Sequence, residues 1–292
     1  MSASAGAPAR IRLLRRASRR PARGTPPLVL LAAAAVALVV VLCVAGSALA
    51  PQDPSAQELA LSVSRPSSAH LLGTDALGRD VLSRLMAGAR TSIAGAVAIA
   101  LGAMVLGNVL GVLAGYRRGW LDAFIMRWVD GMYALPALLV VVVVAGVLGG
   151  GIVVAVGIVI VLFSPPNARL MRGATLEQRP LPYVEAARGL GLSGPRVMAR
   201  HIWPNLLPLV VANTFLDFAY AIVTLAALSF LGVGVDPSSP DWGRALADAR
   251  SLLFDNPAAA IAPAAMIVLT AASVTLIGDH LFQRLGERGQ GR

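Results

Sequence analysis

One acidic residue, Asp217, lies deep inside a long apolar run over 202–235, with Asn213 one helical turn before it and Tyr220 close behind. A carboxyl group is expensive in lipid, so it is expected to face a bundle interior, a water-filled cavity or another subunit. Three chemistries fit it: lining a solute path, serving as a structural hydrogen-bond partner, or persisting as a protonated buried acid. Asn108, beside a series of small residues, is a second polar group in apolar surroundings and reads as a packing or a path-lining residue. The other reactive types are sparse. His70, His201 and His280 are scattered and make no metal cluster, and the single cysteine, Cys43, excludes a disulfide within the chain and a thiolate metal site. All 25 basic residues are arginine. A Gly-x-x-x-x-Gly-Lys-Ser/Thr phosphate loop needs a lysine, so the chain does not bind ATP by that route.

A second chemistry is recognition. Residues 168–204 carry six arginines, two glutamates and no apolar run long enough to cross a bilayer. Pro182 suits the first turn of a short helix over 183–190, and Gly191 suits its stop. Ser193 can cap a second helix that starts at Gly194-Pro195 and runs toward Pro204. In Glu185-Ala186-Ala187 two small side chains sit beside one anionic handle. That composition fits a helix lying in another protein's groove, and equally a surface helix with no partner.

The elements that position these residues follow from composition. The chain is 57% hydrophobic and 14% charged, which indicates a polytopic membrane protein. Stretches 24–52, 91–116, 131–168 and 256–278 carry no charge, and a span needs about 20 apolar residues. The stretch 131–168 can hold two spans, with Gly149-Gly150-Gly151 as the turn between them. Six helices are expected, at 28–50, 92–115, 129–148, 152–168, 205–229 and 258–280, giving an all-α protein. The remaining divisions are an Arg-rich tail over 1–27, an outer loop over 51–91, a five-helix core over 92–282 containing the 168–204 insert, and a tail over 283–292. Nineteen of the 25 arginines fall in 1–27, 116–128, 168–204 and 279–292; the other loops hold six, against eight acids. Arginine excess marks the cytoplasmic side, so both termini and the insert are expected there, and the tail can touch anionic lipid. The arginines follow loops and not one face, which argues against nucleic-acid binding. The first apolar run is too long for a typical signal peptide, so it is read as a retained span.

Within the outer loop, Thr74-Asp75 is expected to cap a helix carrying Leu77, Val81, Leu82, Leu85 and Met86. That helix would lie on the outer face or serve substrate entry. Gly107, Gly111 and Gly115 repeat a spacing that lets helix backbones approach closely. Asp130 is expected to pair with Arg127 or to cap helix ends.

Glu185-Ala186-Ala187, three residues, Gly191 and then Pro204 resemble the EAA loop of bacterial ABC-transporter permease subunits. The loop departs from that pattern at His201 and Trp203, yet His-Ile-x-Pro-Asn resembles the dipeptide/oligopeptide/nickel branch. The blocks at 70–80, 113–116, 126–130, 228–234, 241–243 and 278–279 point to the same branch, and the Gly-Thr-Asp-x-Leu-Gly-Arg-Asp block resembles its C-type member. Two further departures are Leu225, where relatives often carry Glu, and the segment Phe163-Ser164-Pro165-Pro166-Asn167-Ala168-Arg169 at the end of the fourth span.

The resemblance implies a type I ABC importer permease fold with six transmembrane helices and a cytoplasmic coupling helix, in a bacterial cell membrane. It implies four kinds of partner: a homologous second permease, two ABC ATPase subunits, an extracytoplasmic substrate-binding protein and the lipid bilayer. No cofactor is expected in this chain, with ATP and Mg on the ATPases, and no catalysis. Tyr183, Glu185, Ala186, Ala187, Arg188, Gly189, Gly191 and Pro204 would couple the chain to the ATPases. Glu185 would be the polar anchor, Ala186 and Ala187 the close-packing face, and Gly189 and Gly191 the turn. The possible pathway residues are Asn108, Asn213, Asp217 and Tyr220. Peptides are the first substrate class, with nickel and other small solutes behind. A rival from another class is a self-contained secondary transporter using Asp217.

Overall fold

The computed structural model describes residues 26–148, 151–234, 236 and 238–290, with side chains described to residue 284. Most of the expected tail over 1–27, Gly149 and Gly150 of the expected turn, and the last two residues lie outside the described residues. The elements are α1 (Pro27–Leu49), α2 (Val81–Arg117), α3 (Gly119–Tyr133), α4 (Ala137–Leu148), α5 (Ile152–Gln178), α6 (Pro182–Gly189), α7 (Gly194–Val197), a π turn (Met198–Ile202), α8 (Trp203–Phe230), α9 (Trp242–Ala249) and α10 (Ala258–Gln290). Among the described residues, five helices are long and apolar enough to cross a membrane: α1, α2, α5, the run 194–230 and α10.

The expected third span is the main correction. Instead of one helix over 129–148, α3 and α4 meet at an 89° bend. Pro136 stands at the break and disfavours helical backbone at the residue before it. Counted together the pair gives a sixth span. α3 turns Ile125 and Val129, four residues apart, into the protein and leaves Trp120 and Phe124 exposed, the pattern of a helix lying along a bundle's end.

A second correction concerns the outer loop. No helix starts at Thr74-Asp75. Asp80 is the N-cap, its carboxylate accepting the Ser83 N–H at 2.8 Å, and the helix that follows is α2 itself. α2 has 37 residues and is about 55 Å long. Leu77 stays outside it. The boundary near residue 282 likewise falls within α10.

α1 is apolar all round and touches the bundle along one stripe of Ala32, Val39 and Gly46, seven residues apart. α2 is the central helix. Its small residues face α5: a Cβ at Gly115 would stand 2.8 Å from the Arg172 carbonyl oxygen, and one at Gly107 2.8 Å from that of Ser164. The glycine spacing is therefore a packing device, as small-xxx-small faces are in membranes. The largest core cluster joins Ile93 and Ile99 of α2, Val159 of α5, Ile222, Leu225 and Leu228 of α8, and Trp242 of α9.

At the end bearing residues 51–80 and α9, two of the blocks singled out in the sequence lock together. Asp241 caps α9, accepting the Arg244 N–H at 3.0 Å, and also accepts the Ser92 hydroxyl of α2 at 2.8 Å. Trp242, fully buried, donates its indole N–H to the Leu85 carbonyl at 2.8 Å. Asp75, Arg79, Asp248 and Arg244 form a chain of ion pairs between the 70–80 block and α9. The sequence gives no indication that these blocks, about 165 residues apart, form one cap.

Candidate functional site

The opposite end carries the 168–204 insert. Its first eleven residues continue α5, which runs to Gln178. Leu181 is extended, Pro182 enters the first turn of α6, and Gly191 closes the segment at φ 76°, a conformation that favours glycine. The Gly191 N–H donates to the Arg188 carbonyl at 2.9 Å and the Leu192 N–H to that of Ala187 at 3.3 Å. The short helix and its glycine stop thus form as expected.

The facing of α6 differs from expectation. Val184 and Ala187 are buried and join Val112 of α2, Met171 of α5, Val197 of α7, Ile202 of the π turn, and Leu206 and Val210 at the start of α8. Ala186 and Ala187 do not share a face, because successive helical residues point about 100° apart. Ala187 packs against its own chain. Glu185, Ala186, Gly189 and Leu190 form the outward face, with Leu190 81% exposed. The helix is pinned at both ends. The Tyr183 hydroxyl donates to Gln178 Oε1 at 2.6 Å, and the Arg188 guanidinium stacks 4.8 Å from the centre of the Tyr116 ring. The latter is a cation–π contact.

Beyond Gly191, Ser193 occupies the N-cap position of α7 without a side-chain capping bond. The chain then widens into the π turn, where the Trp203 N–H reaches the Met198 carbonyl five residues back. Pro204 explains the widening: it has no N–H to give to Arg200, and its ring would clash with that carbonyl in a regular helix. Asn205 donates its side-chain amide to the His201 carbonyl at 2.6 Å. The insert therefore feeds into α8 without a break in helical structure. His201 is half-buried and Trp203 stands at the surface, 38% exposed.

α3 is clamped to the same end of α5. Arg172 donates twice to Asp122, at 2.5 and 2.7 Å. Asp130 pairs with Arg169 at 2.5 Å, not with Arg127. The Arg169 guanidinium also lies 4.5 Å from the Tyr133 ring centre.

Deeper in the bundle a polar cluster joins α5 to α8. Asn167 Nδ2 donates to Asp217 Oδ2 at 2.7 Å, and Asn213 Nδ2 donates to the same oxygen at 3.3 Å and to Asn167 Oδ1. Asp217 is 8% exposed and Asn167 2%. Of the four pathway candidates, the structure brings Asn213 and Asp217 together. Asn108 is buried at the neighbouring α2–α5 contact, next to Gly107. Tyr220 is 68% exposed. Asn167 was visible in the sequence only as part of the segment that departs from the family pattern. Leu225, at the other departure, is buried in the main core against Gly95, so no acid stands there.

Residues 107–287 match the family of binding-protein-dependent transport system inner membrane components. The chain is 41% identical to the glutathione transport system permease protein GsiD of Pectobacterium atrosepticum over 216 residues, 74% of this chain and 72% of that protein. It is 35% identical to the probable D,D-dipeptide transport system permease protein DdpC of Escherichia coli K12 over 267 residues, 91% of this chain and 89% of that protein. A GsiD protein of another Escherichia coli strain is 36% identical over 227 residues.

Proposed function

This chain belongs to the family of binding-protein-dependent transport system inner membrane components, and we propose that it serves as one permease of an ATP-driven importer of small peptides. The family is that of type I ABC importer permeases, and the chain is a multi-pass membrane protein. The peptide class rests on the names of its relatives, glutathione and D,D-dipeptide permeases. Nickel remains a family-level alternative. The insert end lies in the cytoplasm, as the arginine distribution supports.

The observation that carries the reading is the construction of α6. A helix of eight residues and the Leu190 that caps it offer Glu185, Ala186, Gly189 and Leu190 outward, while Val184 and Ala187 root the helix where α2, α5 and α8 meet. A partner ATPase that holds the outward face can move that junction. Movement of the junction reaches α8 directly, because Leu206 and Val210 of α8 belong to it and helical structure is continuous from Gly194 to Phe230. Two packings of the spans, biased by nucleotide on the partners, then give alternating access. Leu216, Tyr220 and Val223, at steps of four and three, form an exposed stripe on α8 that fits the second permease across the pathway. Tyr220 thus stays a pathway residue of the assembled pair, whereas Asp217 belongs to the interior of this chain. Family membership, and not the burial of Asp217, favours this reading over a self-contained transporter resting on that residue.

The test is reconstitution. The chain, its second permease, two ATPases and the binding protein are placed in proteoliposomes with radiolabelled glutathione or D-alanyl-D-alanine. ATP-dependent uptake that vanishes without this chain is the expected result. ATP-independent uptake by this chain alone would overturn the proposal.

A further inference from the structure

α5 and α8 each contain a built-in weak point, and the polar cluster lies beside one of them. In α5, Pro165 and Pro166 lack the N–H groups that would bond to the Val161 and Leu162 carbonyls. The Ser164 hydroxyl fills the first gap, donating to the Val161 carbonyl at 2.8 Å. Asn167 follows the prolines directly, and its side-chain amide also reaches the Phe163 carbonyl at 3.2 Å. In α8 the weak stretch is the π turn followed by Pro204 and Pro208. Asn213 and Asp217 come about one and a half and two and a half turns later, on the far side of that stretch from α6.

A helix interrupted by proline bends at the interruption instead of passing a tilt along its length. In α8 the cluster lies beyond Pro204 and Pro208 from α6, and in α5 it lies on the α6 side of Pro165 and Pro166, so a tie at this level carries movement of α8 directly into the stretch of α5 that leads to the insert. The Asn167–Asn213–Asp217 cluster is that tie. Asn167 and Asp217 are buried and Asn213 is half-buried; two side-chain hydrogen bonds join the helices, from Asn167 to Asp217 and from Asn213 to Asn167, and a third links Asn213 to Asp217 within α8. In a low-dielectric interior such a network holds a fixed geometry, because a broken member leaves a polar group without a partner.

We propose that this cluster is the fulcrum of the permease, and that Asn167 is a positioning residue through which tilt of α8 displaces α5. The proposal rests on the coupling role given to α6. Its test uses the complete complex in lipid, with ATP hydrolysis and uptake of glutathione or D-alanyl-D-alanine measured on the same preparation. A second readout is the distance between spin labels at Leu190→Cys and Val153→Cys, in a Cys43→Ser background, with and without ATP and vanadate.

Asn167→Leu is expected to keep ATP hydrolysis within about twofold of the parent, to lower peptide moved per ATP at least tenfold, and to abolish the nucleotide-dependent distance change. Exchanging the partners, Asn167→Asp with Asp217→Asn, keeps an amide facing a carboxylate and is expected to restore both. An Asn167→Leu complex with unchanged coupling would overturn the proposal. So would a parallel loss of hydrolysis and uptake that the exchange does not rescue, since that marks a role in folding alone. Failure of the coupling reading itself is distinguishable: the parent complex would then show neither copurifying ATPases nor a nucleotide-dependent distance.

Discussion

Replacing Glu185 by Arg together with Ala186 by Trp is expected to lower ATP-dependent uptake at least about 100-fold and to strip the ATPases from the purified complex. The two positions lie on the outward face of α6, so neither change touches the chain's own core. Trp at Ala186 replaces a small packing surface with the bulkiest side chain, and Arg at Glu185 reverses the single charge on that face. Clash and like charge at the centre of an interface commonly cost about 2–4 kcal/mol, and each 1.4 kcal/mol is a factor of ten in binding. The variant should still insert and fold, which its yield and elution profile check. Ala187→Trp is a different experiment. Ala187 is buried among Val112, Met171 and Val184, so Trp there is expected to dislodge α6 from its own bundle.

The second large effect is expected in the glycine face of α2. A Cβ at Gly111 would stand 2.7 Å from the Met171 Cβ and 3.0 Å from the Arg172 nitrogen, and closer still to the Ala168 carbonyl. Backbone cannot swing away as a flexible side chain can, so Gly111→Ala must push α5 off α2. Overpacking of this kind costs about 1–3 kcal/mol. Gly173, on α5, is the matched control: nothing lies within 4 Å of a Cβ built there. Gly173→Ala should be neutral or stabilising by up to about 1 kcal/mol, since alanine is the better helix former. The same substitution is thus expected to have opposite signs at the two sites. Melting of the detergent-solubilised chain, followed by size-exclusion chromatography, reads the difference, at about 2–4 °C per kcal/mol for a chain of this size.

Which features were legible in the sequence follows from the range of the signal. Apolar runs are local, so the ends of α1 and the paths of α5 and α8 could be read directly. Glycine spacing is also local, and the Gly107, Gly111 and Gly115 series correctly marked a close helix contact. The bend between α3 and α4 was missed because both sides are apolar, and hydropathy carries no angle. Pro136 was its one visible sign. The start of α2 was misplaced because Arg84 and Arg90 interrupt the apolar run, so residues 81–86 were read as part of a separate outer-loop helix. Arg84 is in fact buried, 3.8 Å from Asp75 and within reach of the ion pairs of the outer cap.

At the candidate site the motif was legible and its facing was not read. Val184 and Ala187, three residues apart, already mark the inward side of a short helix, and that spacing excludes Ala187 from the outward one. Asn167 is the clearest miss. It lies 50 residues from Asp217, and a hydrogen bond between two spans leaves no trace in either span's periodicity. A polar side chain just after a proline pair, facing another span that also holds one, was the only clue.

The central claim is physical contact between the outward face of α6 and an ATPase, and cross-linking tests it most directly. A single cysteine is placed at Leu190, which is 81% exposed, or at Val184, which is fully buried, in a Cys43→Ser chain. Each chain is assembled with its partners in the membrane and treated with a short thiol cross-linker. The account predicts a covalent adduct between the Leu190→Cys chain and an ATPase subunit, with a yield that changes when ATP is trapped, and none from Val184→Cys. An assembled, transporting complex that gives no ATPase adduct at Leu190, or the same from both positions, would contradict it.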